Sequence, residues 1–303
     1  MELDKFQLEI IKIAKEKGIL LLAHSYQPIE VQQVADFVGD SLELSIIAKN
    51  AKEQKIMFAA VKFMAETAKV LSPEKKIMIA NPDAGCPLAN MINPEDVLKL
   101  KTLHPGAPVV CYINTPIEVK AVSNVICTSA NALKICESLP ENEIIFVPDQ
   151  GLGSWIAEKT SKKIWLHSGF CHIHWLLDVE DIKKAKLEHP ESLLVVHPES
   201  NPKIRALADY VCGTSAMIRY VKENPGRSFI IGTEIGMMQR LQTVYPDVTF
   251  YLASKKLVCP NMKKTDCLVL KDALENETSE VTLDKEMADK ARKAIQRMHD
   301  QTA

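Results

Sequence analysis

The chain has 303 residues, 47% of them hydrophobic and 25% charged, with a formal net charge of −2. That length and composition call for a sizeable core spread over two or three domains, and exclude a disordered or fibrous chain. The near-neutral balance excludes an electrostatic footprint for nucleic acid or a charged membrane surface, and basic pairs such as Lys263-Lys264 read as solvated faces.

Residues 1–18 place Leu3, Phe6, Ile10 and Ile13 at helical spacing among Glu, Lys and Gln, which predicts an amphipathic helix and not a secretory leader. No run approaches the roughly 18 apolar residues of a membrane span. A cytoplasmic location is expected, and with it eight reduced cysteines in place of a disulfide framework.

Twelve short apolar runs follow, alternating with helical patterns, the signature of a parallel α/β protein. They fall into three sets of four: residues 19–23, 37–39, 56–61 and 77–80; then 109–113, 125–127, 144–147 and 164–166; then 193–196, 210–212, 229–231 and 248–252. The spacing predicts three similar units, each a four-stranded parallel sheet with helices on its faces, over residues 1–90, 91–176 and 177–270. Residues 271–303 are expected to form a charged loop and a helix from about Asp284 to Met298, packing back as a tail. Helix starts are predicted at Ser41, Ser129 and Ser215, and at Asn93-Pro94 and Asp178, from their N-cap preferences.

The repeat is visible in the residues themselves. Ala35-Asp36-Phe37-Val38-Gly39-Asp40-Ser41 is echoed by Ser123-Asn124-Val125-Ile126-Cys127-Thr128-Ser129 and by Ala208-Asp209-Tyr210-Val211-Cys212-Gly213-Thr214-Ser215. Some 45 residues after each copy comes one cysteine, Cys86, Cys171 or Cys259, and these lie 85 and 88 residues apart. Three thiolates at repeat spacing point to a metal centre. The paired C-x₂₋₄-C spacing of structural zinc is absent, which favours an iron–sulfur cluster with one iron left open. A Cys₃His zinc site closed by His172 or His174 stays open as the alternative. Cys111, Cys127 and Cys136 lie in apolar segments and read as core, and Cys212 and Cys267 are spare thiols.

Parallel sheets bind ligands at the carboxyl ends of their strands. Just past those ends come His24 and Tyr26, Tyr112 and Asn114, and His197 and Glu199; past the second strands come Ser41, Ser129, and Thr214 with Ser215; past the third come Asp149-Gln150 and Thr233-Glu234. Equivalent positions thus carry unlike polar groups, as an asymmetric substrate in a pseudo-symmetric cavity requires. The serines near helix N-termini would suit carboxylates or phosphates.

These residues resemble the quinolinate synthase family (quinolinate synthetase A). The resemblance is carried by Ala23-His24-Ser25-Tyr26-Gln27, Asp36-Phe37-Val38-Gly39-Asp40-Ser41-Leu42, Phe63-Met64-Ala65-Glu66-Thr67-Ala68 and Cys86-Pro87-Leu88-Ala89-Asn90. Thr128-Ser129-Ala130-Asn131-Ala132, His197-Pro198-Glu199, Gly232-Thr233-Glu234-Ile235-Gly236-Met237 and Cys259-Pro260-Asn261-Met262-Lys263 extend it over residues 19–265.

The resemblance implies three similar α/β/α domains around a central active-site cavity, and a [4Fe–4S] cluster held by Cys86, Cys171 and Cys259. It implies condensation of iminoaspartate with dihydroxyacetone phosphate to quinolinate, with loss of phosphate and water, in NAD biosynthesis. An aspartate oxidase or dehydrogenase is the expected supplier of iminoaspartate. In this reading the open iron acts as a Lewis acid, Tyr26, Tyr112, His197 and Glu199 move protons, and His24, Ser41, Asn114, Ser129, Thr214 and Ser215 hold substrate, with Glu234 a weaker candidate. Ser25, Ser200 and His172 depart from the residues common in the family, Asn, Cys and Pro. The rival readings are a radical iron–sulfur enzyme like those of diphthamide synthesis and a non-enzymatic cluster-bearing redox sensor.

Overall fold

The computed structural model describes residues 3–302; Met1, Glu2 and Ala303, at the outer ends of the first and last expected segments, lie outside them. The N-terminal helix α1 (Lys5–Glu16) opens with a capping box, in which Asp4 accepts from Gln7 N and the Gln7 side chain accepts from Asp4 N. It buries Ile10 and Ala14.

Three four-stranded sheets follow, every pairing parallel. The first holds β1 (Ile19–His24), β2 (Phe37–Gly39), β3 (Lys55–Ala59) and β4 (Lys76–Ile79). The second holds β5 (Val109–Tyr112), β6 (Val125–Cys127), β7 (Glu143–Val147) and β8 (Lys163–Leu166), and the third β9 (Leu193–Val196), β10 (Tyr210–Val211), β11 (Phe229–Gly232) and β12 (Phe250–Leu252). Each has the order second–first–third–fourth, so each has its topological switch point between its first and third strands. The first strands are apolar without alternation because helices cover both faces of a parallel sheet, and all six residues of β1 are buried.

The helices after the strands are α2 (Ile29–Val34), α3 (Ser41–Asn50) and α4 (Lys62–Leu71), then α5 (Pro94–Leu103), α6 (Ile117–Ala121), α7 (Ala132–Ser138), α8 (Gln150–Ala157), α9 (His172–Trp175) and α10 (Val179–Glu188). The third sheet has α11 (Pro202–Arg205), α12 (Thr214–Glu223) and α13 (Ile235–Val244), followed by α14 (Cys267–Asn276) and α15 (Lys285–Thr302). Asn93 and Asp178 cap α5 and α10 as expected.

The three serines do not cap. Asp40 accepts from Leu42 N and Glu43 N at the start of α3, Asn131 precedes α7, and Gly213 precedes α12. Ser41 and Ser215 lie in the first turns of α3 and α12, and Ser129 lies in the turn before α7. A better acceptor one residue earlier displaces Ser41, and an extended Gly213 starts α12 two residues ahead of the expected position.

A second correction concerns residues 271–276, expected as charged loop. They are the last turns of α14, whose Leu270, Ala273 and Leu274 are buried at helical spacing. The final helix buries Ala288, Ala291, Ile295 and Met298, again one helical stripe. No helix among the described residues is long and apolar enough to cross a membrane.

The echoed motif has a structural cause. Asp36 Oδ2 accepts from Leu21 N at 2.8 Å, Asn124 Oδ1 from Val109 N at 2.8 Å, and Asp209 Oδ2 from Leu194 N at 2.7 Å. In each sheet, therefore, the residue before the short edge strand clamps the central strand and sets the edge register.

Two compact units are distinguishable. One runs to Cys86 and resumes over Cys259–Arg292; the other is Pro87–Val258 with the chain from Lys293 onward. On one face of the first unit's sheet, Leu21 and Met57 pack with Ile10 of α1 and Leu270 and Leu274 of α14. The second unit carries the second and third sheets.

Candidate active site

In the first unit, the loop after β1 presents His24, Ser25 and Tyr26. Tyr26 N donates to His24 Nδ1 at 3.1 Å, and the two rings meet edge to face with centroids 4.7 Å apart. The Cys259 loop is tied to this turn, because Lys263 Nζ donates to Tyr26 O at 2.6 Å and Gln27 Nε2 to Met262 Sδ at 3.4 Å. It is also tied to the Cys86 loop: Asn81 Nδ2 donates to Lys264 O at 2.8 Å, and Lys264 Nζ to Asp83 O at 2.7 Å. The segments carrying Cys86, Cys259 and Tyr26 are thus stitched together by a few hydrogen bonds.

In the second unit, polar residues converge behind Cys171. Asp149, wholly buried, has φ 66°, a region that non-glycine residues rarely occupy. Its carboxylate holds that conformation by accepting from Leu152 N at 2.6 Å and from Cys171 N at 2.8 Å. One turn on, His174 Nδ1 lies 3.2 Å from Cys171 Sγ and 2.7 Å from Glu199 Oε2, and its Nε2 lies 2.8 Å from Thr233 Oγ1. His197 stacks on His174 with centroids 4.6 Å apart, and its Nδ1 lies 3.3 Å from Glu199 Oε2. An Nδ1–H tautomer of His174 satisfies this array, donating to Glu199 and accepting the Thr233 hydroxyl proton at Nε2.

The electrostatics follow from burial. Desolvation lowers the His174 pKa, so the ring is neutral near pH 7. Burial works against the Glu199 carboxylate, but His197 and the hydrogen bonds from both histidines outweigh it and hold Glu199 well below the usual range. Asp149 is pushed well above it, by burial first and then by the charge of Glu199. Two buried acids with opposed shifts and a neutral histidine between sulfur, carboxylate and hydroxyl form a place where protons can be held and moved.

Cys171 Sγ, a His174 ring nitrogen and a Glu199 carboxylate oxygen all lie within 4.8 Å of one another, a donor set able to hold a metal ion. The eight cysteines separate clearly. Cys86, Cys171 and Cys259 are half-buried in loops past the ends of β4, β8 and β12. Cys111, Cys127, Cys136 and Cys212 are buried thiols; burial raises all four, Cys136 and Cys212 to about 12. Cys267, at the start of α14, is pushed up to about 11 by burial and by Glu30, Asp266 and Asp4.

A family model described as Quinolinate synthetase A protein matches residues 8–300. The chain belongs to this family. Relatives named quinolinate synthase include that of Caldicellulosiruptor bescii, 44% identical over 98% of this chain and 99% of its own length. That of Methanoregula boonei is 46% identical over 96% of this chain and 97% of its own length, and that of Geotalea uraniireducens 45% identical over 97% of each. Family membership does not favour the diphthamide-type or sensor readings.

Within the second unit the structure brings together Cys171, His197 and Glu199 of the residues expected from sequence. It also brings Ser129 against the turn before Thr214 and Ser215: a Cβ at Gly213 would lie 2.9 Å from Ser129 Oγ. Tyr112, buried, ends β5, and half-buried Asn114 follows in its loop. Glu234 caps α13 by accepting from Gly236 N at 2.6 Å. Ser41 lies on the first turn of α3.

In the sequence His174 stands out only as a possible zinc ligand, and Thr233 and Asp149 only as strand-end residues without a role. Repeat position was the available signal for the last two, since both follow third strands beside the switch point.

Proposed function

We propose that this chain condenses iminoaspartate with dihydroxyacetone phosphate to form quinolinate, releasing phosphate and two molecules of water with no net redox change. The carrying observation is the family match across residues 8–300, with relatives of 44–46% identity over nearly the whole chain. The three sheets are read as three domains, divided near residues 90, 176 and 270, and the reaction as cytoplasmic. Oxidation of aspartate supplies the imine, and an aspartate oxidase or dehydrogenase is the expected transient partner.

The donor set fits an iron–sulfur group. Three half-buried thiols stand on polar loops, two of those loops are hydrogen-bonded to each other, four of the other thiols are buried core residues with raised pKa values, and the fifth, Cys267, is half-buried at the start of α14 with its pKa pushed up to about 11. Cys86, Cys171 and Cys259 would hold a [4Fe–4S] cluster, which when bound supplies an open iron as Lewis acid for a substrate oxygen.

The protein's own groups do the rest. Thr233, His174 and Glu199 form a chain in which the Thr233 hydroxyl gives its proton toward His174 Nε2 while Glu199 holds the Nδ1 proton. His197 supports the charge of Glu199. Tyr26 and Tyr112 are the phenols for the remaining proton transfers. Ser129, Thr214 and Ser215, grouped at one pair of turns, bind a carboxylate or phosphate, and His24, Ser41 and Asn114 orient the other substrate groups.

The test is anaerobic reconstitution with iron and sulfide, then incubation with dihydroxyacetone phosphate and freshly generated iminoaspartate. Quinolinate formation, with a substrate-dependent change in the cluster spectrum, is the expected result. A fully loaded protein that makes no quinolinate overturns the reading.

A further inference from the structure

Gln32, Lys120 and Arg205 lie 88 and 85 residues apart, the same intervals that separate His24, Tyr112 and His197. Each sits on the short helix after the first strand of its sheet, Gln32 in α2, Lys120 in α6 and Arg205 in α11. All three are buried, with 5%, 0% and 5% of their surface exposed, which is rare for Lys and Arg.

Each turns back onto the loop that precedes its helix. Gln32 Nε2 donates to Ser25 O at 3.1 Å and Gln27 O at 2.8 Å, the carbonyls on either side of Tyr26. Arg205 Nη1 donates to Pro198 O at 3.4 Å and to Ser200 O, the carbonyls on either side of Glu199. It also donates to Gly151 O at 3.1 Å, and Nη2 reaches Ser154 Oγ at 3.0 Å and the Glu158 carboxylate. Lys120 Nζ donates to Thr115 O, the carbonyl that follows Asn114. Tyr26, Asn114 and Glu199 occupy one repeat position, and so do Gln27, Thr115 and Ser200.

We propose that Gln32, Lys120 and Arg205 are positioning residues that fix Tyr26, Asn114 and Glu199 at the tips of three equivalent loops. A tight loop that turns its tip side chain outward turns the flanking carbonyls inward, where without a donor they would be buried and unpaired. The inward donor pins those carbonyls, and with them the backbone torsions that aim the tip residue. The three donors differ in kind but deliver N–H groups to the same place, so the device survives while the residue presented changes from phenol to amide to carboxylate. Arg205 does more than the others: its guanidinium also ties the Glu199 loop to α8, whose N-cap Asp149 holds Cys171 N.

The assignment rests on the proposed synthase activity, and the test separates the two. Gln32→Met, Lys120→Met and Arg205→Lys are made in the full-length, cluster-loaded protein. Turnover, KM for each substrate, iron and sulfide content and thermal midpoint are measured, with hydrogen exchange of residues 24–27, 112–115 and 197–200. Misaimed groups lose rate more than binding, so kcat is expected to fall about tenfold to a hundredfold with KM within about threefold and iron content unchanged. Exchange should quicken only in the loop whose donor was changed. Should one variant fail to fold, the other two carry the test. Turnover within about twofold of the unaltered protein in loaded variants overturns the assignment, as does a loss that follows iron content or thermal midpoint. If the unaltered protein makes no quinolinate, the functional reading fails, and the loop-specific exchange still reports whether the donors fix the loops.

Discussion

His174 Nδ1 lies 2.7 Å from Glu199 Oε2, both side chains being almost wholly buried. Neither element alone has reason to carry its polar group there, since α9 is a single turn and the loop after β9 is short. With Thr233 on the far side of the ring, the three side chains form the hydrogen-bonded chain through which the proposed reaction would move a proton. Glu199→Gln keeps the shape and removes the charge. Its turnover is expected to fall about 10²–10⁴-fold with iron content unchanged, measured by quinolinate formation against iron and sulfide analysis. Unaltered turnover would remove Glu199 from the mechanism.

Replacing Cys86, Cys171 or Cys259 singly by Ser is expected to abolish the cluster absorbance after anaerobic reconstitution. Cys136→Ser and Cys212→Ser should retain it, because those thiols are core residues whose pKa is raised to about 12 by burial. Full iron and sulfide in any one of the first three variants would disprove that ligand.

Asp36→Ala and Asp209→Ala each leave a strand N–H without its side-chain acceptor, at Leu21 and Leu194. Each is expected to lower stability by about 1–3 kcal/mol in denaturant unfolding. A loss well below that range would show that the edge-strand clamp is dispensable.

Glu277 accepts from Lys55 Nζ at 2.7 Å and Lys76 Nζ at 2.8 Å, and those hydrogen bonds pull its pKa from 4.5 to about 2. A carboxylate depressed in the folded state stabilises above its unfolded pKa of 4.5, and the contribution is lost as pH falls toward about 2. The side chain is 18% exposed and its lysine partners more so, so solvent screening leaves about 1 kcal/mol. Glu277→Gln should therefore destabilise at pH 7 and converge on the unaltered protein near pH 2; a constant difference across that window would contradict the ion-pair origin.

A Cβ at Gly213 would stand 2.9 Å from Ser129 Oγ, closer than side-chain carbons normally come. Gly213→Ala is expected to push Ser129 aside and raise KM for one substrate about tenfold while the cluster loads normally. Unchanged KM values for both substrates would show that Ser129 holds neither.

The strand pattern was legible because buried parallel strands are apolar without interruption. β2, β6 and β9 match the expected bounds, and the other strands differ only at their ends. The capping serines were misread because Asp40, one residue before Ser41, competes for the same backbone N–H groups, and a sequence pattern does not rank adjacent acceptors. The Gln32, Lys120 and Arg205 set was illegible for a different reason: amide, ammonium and guanidinium share no pattern, only the ability to donate inward.

The sequence by itself determined the three-sheet repeat, the three cysteines at repeat spacing and the family, because periodic burial and ordered motifs are properties of the chain. Tertiary structure alone decided that His174 faces Glu199 and Thr233, and that Asp149 adopts a positive φ to hold Cys171. Those groups lie up to 84 residues apart, from Asp149 to Thr233. Their pKa values are set by burial and by neighbours that only the folded chain brings together.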